Sequence, residues 1–203
     1  QQVVLEAFGQ VSGLLSALFV NDTICLLYTP ILLEVTAQLG VNPMPYLLAL
    51  ATSSNIGSVM TVTGNPQNML IGIYSKIPYL SFLGALFPVA VLGLAVSIAV
   101  IRFVYRGEMT AARFTVRPKM PEYQVRKPLL VKSLVVCAAV LAAFSLGYPY
   151  SLAAAAGAVL LLLIGGVSTE RILEGVDWTL LLFFSGLFIV MHGVEVSGLA
   201  GAM

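Results

Sequence analysis

Charged side chains are scarce in this sequence. Asp, Glu, Lys and Arg make up 9% of its 203 residues, whereas 59% are hydrophobic and the mean hydropathy is +0.99. A water-soluble domain carries about a quarter charged residues, because these cover its apolar core. The scarcity of charge therefore excludes an ordinary soluble domain and predicts that lipid surrounds most of the chain.

Residues that bind metals or act as nucleophiles are also few. The sequence has one His and two Cys, and neither Cys25 nor Cys137 has a Cys or His neighbour at metal-ligand spacing. It contains no His-Glu-x-x-His and no Gly-x-Ser-x-Gly motif, which would indicate a metalloprotease or a serine hydrolase. We therefore expect no enzyme, no cofactor and no metal beyond a transient sodium ion.

The ends of the sequence lack familiar signals. There is no initiator Met, and the first residues carry no basic region or cleavage site of a signal peptide. The last residues directly follow an apolar stretch. We therefore expect the sequence to be part of a longer protein.

Positive charge is concentrated in one segment. Eight of the ten Lys and Arg lie between Arg102 and Lys132, flanked by two long apolar runs. Nucleic-acid binding is the alternative for such a cluster, but basic residues next to apolar spans are typical of the cytoplasmic side of a membrane protein. Contact with anionic lipids is compatible with this topology. The pattern predicts a cytoplasmic loop at 107–127 and no nucleic-acid partner.

Long apolar runs predict an all-α, polytopic membrane protein, since about 20 apolar residues are enough for a helix to cross a bilayer. The predicted segments are 80–104, 129–146, 151–167 and an element that begins at Trp178. Between the last two, 168–177 is predicted to be an interfacial connector whose short helix Ser168 or Thr169 could cap.

Two stretches before residue 80 interrupt the apolar pattern. Apolar residues at 6–20 are followed by Asn21-Asp22-Thr23 and resume at 24–33. Two short arms around a polar tip predict a re-entrant hairpin, although one long helix with a polar interruption is the alternative. The apolar run 45–62 leads into Thr-Gly-Asn-Pro-Gln-Asn at 63–68, where Gly and Pro cannot sustain a regular helix. This stretch predicts a discontinuous transmembrane helix with an unwound centre.

Unwound backbone inside a membrane occurs where it lines a cavity or meets a ligand. The helix that restarts at Pro66 should present free N–H groups to an anion, and the arm after Asn21 offers a second such end. Asp22 is a functional candidate because a carboxylate inside a membrane is costly. Four nearby residues could instead form interhelical hydrogen bonds, and they are Ser53, Ser54, Asn55 and Ser58.

These polar motifs carry a resemblance to a known superfamily. The segments 16–30, 51–68 and 176–188 resemble the ion transporter superfamily, which includes arsenite permeases, citrate transporters, divalent anion:sodium symporters and sodium/proton antiporters. The resemblance implies an inverted-repeat fold in which each repeat supplies a re-entrant hairpin and an unwound helix, with substrate and coupling ion bound between the two hairpin tips. It assigns Asn21, Asp22, Thr23, Gly64, Asn65, Pro66 and Asn68 to the first half of that site.

The hairpin tip resembles one branch of the superfamily more than the other. Asp22 stands where dicarboxylate symporters have a neutral residue, and Asn65-Pro66-Gln67 stands in place of their Thr-Pro-Pro. The Asn-Asp pair is more similar to the arsenite permeases.

Residues and resemblance together give one hypothesis and one rival. The hypothesis is a secondary active transporter that moves a small carboxylate or oxyanion by alternating access, coupled to sodium or protons. The rival is a sodium/proton antiporter on the same scaffold, because Asp22 could exchange a proton for a cation. Residues 1–106 would end the first repeat and 128–203 would begin an incomplete second one. We expect a bacterial or archaeal inner membrane, with lipid, the anion and a second copy of the chain as potential partners.

Overall fold

The computed structural model describes residues 2–107, 126–166, 168–176 and 178–197. Within these ranges the chain is α-helical, as predicted. The helices are α1 (Gln2–Leu18), α2 (Asn21–Leu39), α3 (Met44–Ser58), α4 (Pro66–Ser75), α5 (Tyr79–Val104), α6 (Lys127–Ser145), α7 (Tyr150–Ile164), α8 (Thr169–Glu174) and α9 (Trp178–Val196). They belong to two compact units, 1–125 with 138–154 and 126–137 with 155–203. Residues 108–125 of the predicted basic loop lie outside the described residues.

The apolar segments predicted from the sequence are helices. By length and composition, α5 with 26 residues and α6 with 19 residues could each cross a membrane. Helix α7 and the 181–194 part of α9 are apolar but shorter. Large apolar side chains on α5 remain exposed, among them Leu92 at 67% and Phe103 at 69%. A surface of this kind is typical of a helix that faces lipid.

The connector before α9 differs from its prediction in one detail. A short helix forms there, and Ser168 is at its N-cap position, but no side-chain hydrogen bond caps it. The predicted N-cap position of Ser168 is confirmed, but its side chain does not make the capping hydrogen bond. The next residue, Thr169, already lies within the helix.

The first unit is organised around a close contact between α1 and α3. A methyl group on Gly57 of α3 would lie 2.0 Å from the carbonyl oxygen of Gly13 in α1. A methyl group on Gly9 would lie 3.0 Å from the hydroxyl oxygen of Ser53. Small residues allow two helix backbones to approach closely, which is how helices associate where no water drives them together. The two helices are therefore in direct backbone contact.

Polar contacts join α3 to two further helices. The Ser54 hydroxyl lies 2.9 Å from the Cys25 thiol on α2, and the Ser97 hydroxyl of α5 donates to Thr52 at 2.8 Å. The expectation that Ser54 makes an interhelical hydrogen bond is confirmed. Helix α3 thus contacts α1, α2 and α5, so it occupies the centre of this unit.

The chain breaks its helices at two places in the first unit. The first break is Phe19 and Val20, so Asn21-Asp22-Thr23 forms the first turn of α2 and not a loop. An acidic side chain is favourable there because the helix dipole is positive at its N-terminus. The two arms have 17 and 19 residues and are longer than the apolar pattern indicated. The second break covers 59–65, and α4 begins at Pro66 as predicted.

Candidate functional site

The two helix breaks meet in the structure. The amide of Asn21, at the start of α2, donates to the carbonyl of Gly64 at 3.0 Å. The Thr61 hydroxyl donates to the carbonyl of Ala17, near the end of α1. One contact lies on each side of the α1–α2 connection. The two groups of residues assigned to the site are therefore brought together at one place.

Two asparagines hold the unwound segment in its shape. The side-chain oxygen of Asn65 accepts from the Asn68 amide at 2.8 Å and so caps α4, while its nitrogen donates to the Ser58 hydroxyl at 3.1 Å. The side-chain nitrogen of Asn68 lies 3.1 Å from the carbonyl of Val59 and 2.9 Å from that of Thr61. It is also 3.4 Å from the carbonyl of Ser58. Carbonyls that lost their helical partners are thus satisfied by the Asn68 side chain.

This arrangement changes the anion site predicted at the start of α4. The sequence indicated free N–H groups in the first turn, but the Asn65 side chain already accepts from the Asn68 amide. The Met69 amide donates to the Asn65 carbonyl at 3.1 Å. An anion at this helix end therefore finds fewer free donors than the sequence suggested.

Gly64 fills a position that has no room for a side chain. A methyl group on it would lie 2.0 Å from the carbonyl oxygen of Ser58 and 2.8 Å from its Cα. Both atoms belong to the backbone, so a rotamer change cannot relieve the contact. The glycine therefore allows the end of α3 and the start of α4 to approach each other.

The residues at the start of α2 are partly open. Asn21 and Asp22 are half-buried, and Thr23 is exposed. The Asn21 side-chain nitrogen lies 3.4 Å from the side-chain oxygen of Asn55 on α3, which confirms an interhelical contact for Asn55. The Asn21 oxygen and the Thr63 hydroxyl are buried and have no hydrogen-bond partner among the described residues. Side-chain amide and hydroxyl oxygens such as these two can bind a sodium ion.

Asp22 has no basic partner within the described residues. The ion pair found there joins Arg102 to Glu6. The N-cap of α2 is Val20, so Asp22 is the second residue of the first turn and does not cap the helix. Capping of α2 therefore does not explain why a carboxylate occurs at position 22.

A comparison of the sequence with known protein families matches residues 2–203 to the citrate transporter family. The chain belongs to this family. It is a family of membrane transporters and not of enzymes, and it confirms the resemblance to the ion transporter superfamily.

Several curated proteins are similar to this chain. It is 31% identical to a silicon efflux transporter of Oryza sativa subsp. japonica, over 95% of this chain and 52% of that protein. It is 34% identical to an uncharacterised transporter of Mycobacterium bovis, over 93% and 46% of the two proteins. It is 24% identical to an arsenical pump membrane protein of Escherichia coli, over 91% and 46%. The chain thus spans about half the length of these relatives.

In this member of the citrate transporter family, sequence reasoning missed one contributor to the site. Thr61 joins the unwound segment to α1 and accepts from Asn68, yet no motif singled it out. The signal that could have found it is the pair of threonines at 61 and 63, directly before the Gly-Asn-Pro break.

No group of three or more His, Cys, Asp or Glu that could hold a metal occurs in the parts of the chain that the structure describes.

Proposed function

We propose that this chain forms one half-site of a secondary active transporter that moves a small anion of the carboxylate or oxyanion class. Transport would proceed by alternating access and would be coupled to sodium or protons. The observation that carries the proposal is the hydrogen bond from the Asn21 amide to the Gly64 carbonyl. It joins the first residue of α2 to the unwound segment that leads into α4. The names of the relatives, which include an arsenical pump membrane protein and a silicon efflux transporter, are consistent with a small oxygen-rich solute.

Helix lengths support a position for this contact inside the membrane. At 1.5 Å per residue, α3 is about 22 Å long and α4 about 15 Å long. Neither reaches across a hydrocarbon core of about 30 Å, but the two in succession do. The break between them then lies at membrane depth, and so does Asn21. Helices α1 and α2 would both leave this point towards the same side, which is the geometry of a re-entrant hairpin.

The chemistry of the proposed site suits an anion together with a cation. The N-termini of α2 and α4 carry partial positive charge, which favours an anionic group. The unpartnered oxygens of Asn21 and Thr63, with the Asp22 carboxylate close in sequence, are ligands for a hard cation such as sodium. We assign Asn21, Asp22, Thr23, Gly64, Asn65, Pro66 and Asn68 to this half-site, with Asn65 and Asn68 maintaining its shape.

A sodium/proton antiporter is the second candidate function, and it is favoured by the Asp22 carboxylate, which has no basic partner among the described residues. An ionised carboxylate in a membrane needs a cation, a proton or a basic residue as partner. Exchange of a proton for sodium at Asp22 would move ions without an anionic substrate. We also propose that the protein lies in a bacterial or archaeal inner membrane and that two copies pair.

Asp22→Asn is the variant that tests ion coupling. The amide keeps the size and some hydrogen bonding of the carboxylate but removes its charge. In the full-length protein reconstituted into vesicles, we expect a protein that folds but whose citrate, arsenite or silicate transport no longer depends on sodium or pH. Initial rates measured against sodium concentration and pH give the result. Transport of none of these solutes, with sodium-driven proton movement that Asp22→Asn abolishes, would favour the antiporter.

Glu34→Gln is the matched control for this experiment. Glu34 is an exposed carboxylate on the same helix, and it accepts from Gln38 at 3.3 Å. Removing its charge should leave the ion dependence unchanged. If Asp22→Asn also leaves rates and ion dependence unchanged, Asp22 has no part in coupling.

A further inference from the structure

A groove runs between α1 and α5, away from the two helix breaks. Its cavity has a volume of about 390 Å³. The walls combine a carboxylate, an amide and a guanidinium with three small or apolar side chains. The lining residues are Glu6, Gln10, Ala95, Ile98, Ala99 and Arg102.

The two charged side chains in this groove form an ion pair, but each can still bind another molecule. Arg102 contacts Glu6 through one guanidinium nitrogen and one carboxylate oxygen. The two side chains remain 47% and 32% exposed, respectively. A guanidinium carries five N–H donors and a carboxylate two oxygens, so this single contact leaves both groups able to bind another molecule. The groove therefore presents a positive and a negative group side by side.

The groove extends from the predicted membrane surface into the hydrocarbon region. Arg102 lies in the last turn of α5, next to the basic segment predicted to be cytoplasmic. Ala95, Ile98 and Ala99 line the groove up to two turns earlier on the same helix, a distance of about 10 Å along its axis. With that predicted topology, the charged end would lie at the level of lipid head groups and the apolar end at the level of acyl chains.

We propose that this groove binds a zwitterionic phospholipid with an ammonium head group, such as phosphatidylethanolamine. Its phosphate would bind Arg102, its ammonium would donate to Glu6, and one acyl chain would lie against Ala95 and Ala99. An anionic head group without an ammonium would place its charge beside Glu6 and leave that carboxylate without a new partner. A choline head group has no N–H to donate. Charge complementarity therefore selects the ammonium lipid, independently of the transport function proposed above.

The test uses the full-length protein and a mixture of phosphatidylethanolamine, phosphatidylglycerol and phosphatidylcholine. Native mass spectrometry measures which lipid remains bound. We expect the wild-type protein to retain phosphatidylethanolamine over the other two by roughly tenfold, the difference that one charge-assisted hydrogen bond makes. Glu6→Gln should shift the preference to phosphatidylglycerol, because the unpaired Arg102 then faces the head group. Lys76→Gln removes an exposed positive charge beyond the other end of α5 and should leave the preference unchanged.

Two outcomes with the wild-type protein and the single variant would overturn the proposal. One is equal retention of the three lipids by the wild-type protein, as expected if another segment or a second copy covers the groove. The other is a Glu6→Gln protein whose preference does not move. Glu6→Gln combined with Arg102→Gln leaves no unpaired charge, so it avoids a folding defect from a lone ion. This double variant should lose all discrimination among the three head groups, and retained discrimination would also contradict the proposal.

Discussion

Replacement of Gly64 by alanine is expected to abolish transport. The added methyl group would lie 2.0 Å from the carbonyl oxygen of Ser58, well inside van der Waals contact. That carbonyl belongs to the last residue of α3 and is itself within reach of the Asn68 side chain. Overpacking usually costs about 1–3 kcal/mol, and more where the neighbour cannot move. The segment 59–65 must therefore shift, and the contact between Gly64 and Asn21 shifts with it.

Assays of the proposed transport, with citrate, arsenite and silicate as test solutes and the full-length protein in vesicles, measure this effect. Gly84→Ala is the matched control, since a methyl group on Gly84 meets no atom within 4 Å and the residue lies within α5. We expect this control to transport at the wild-type rate. A well-expressed Gly64→Ala protein with near-normal rates would show that the close approach to Ser58 is not needed for function.

The breaks in the helices could be predicted because their causes are local. Gly64 disfavours a helix interior, and Pro66 is favourable at the first position of a helix, where it does begin α4. The extent of the break could not be predicted. Helix α3 ends at Ser58, well before Gly64, because the Asn68 side chain reaches back to carbonyls at 58, 59 and 61. A hydrogen bond of this kind depends on where the chain goes after the break.

Local sequence patterns do not predict contacts between distant segments of the chain. Family resemblance grouped Asn21 with Gly64, but no motif shows that the amide of one meets the carbonyl of the other. The position of the first break was missed by two residues for a related reason. Asn, Asp and Thr are typical of helix starts as well as of loops, so a polar run alone does not distinguish a tip from a first turn.

Replacement of Asn68 by alanine is expected to open the unwound segment. Its side-chain nitrogen is the shared partner of the carbonyls of Val59 and Thr61, and the residue is 8% exposed. The Thr61 carbonyl would keep its 3.4 Å hydrogen bond from the Gly64 amide, whereas the Val59 carbonyl would lose its side-chain partner. A buried carbonyl left without a partner costs about 1–3 kcal/mol. Loss of about 2 kcal/mol in the free energy of opening would raise hydrogen exchange of the 59–65 amides roughly thirtyfold. Transport of the same solutes should fall to background, because the Gly64 carbonyl is no longer held against Asn21.

Hydrogen exchange distinguishes this local effect from general unfolding. In the Asn68→Ala protein, faster exchange should be confined to 59–65 and the first turns of α2 and α4, while α5 keeps its protection. Gln67→Ala is the control, because Gln67 is exposed and is the immediate neighbour of Asn68 in the first turn of α4. It should change neither exchange nor transport. If Asn68→Ala leaves exchange at 59–65 unchanged, the backbone of the break holds its shape without this side chain. The role assigned to Asn68 would then pass to Asn65, whose oxygen caps α4.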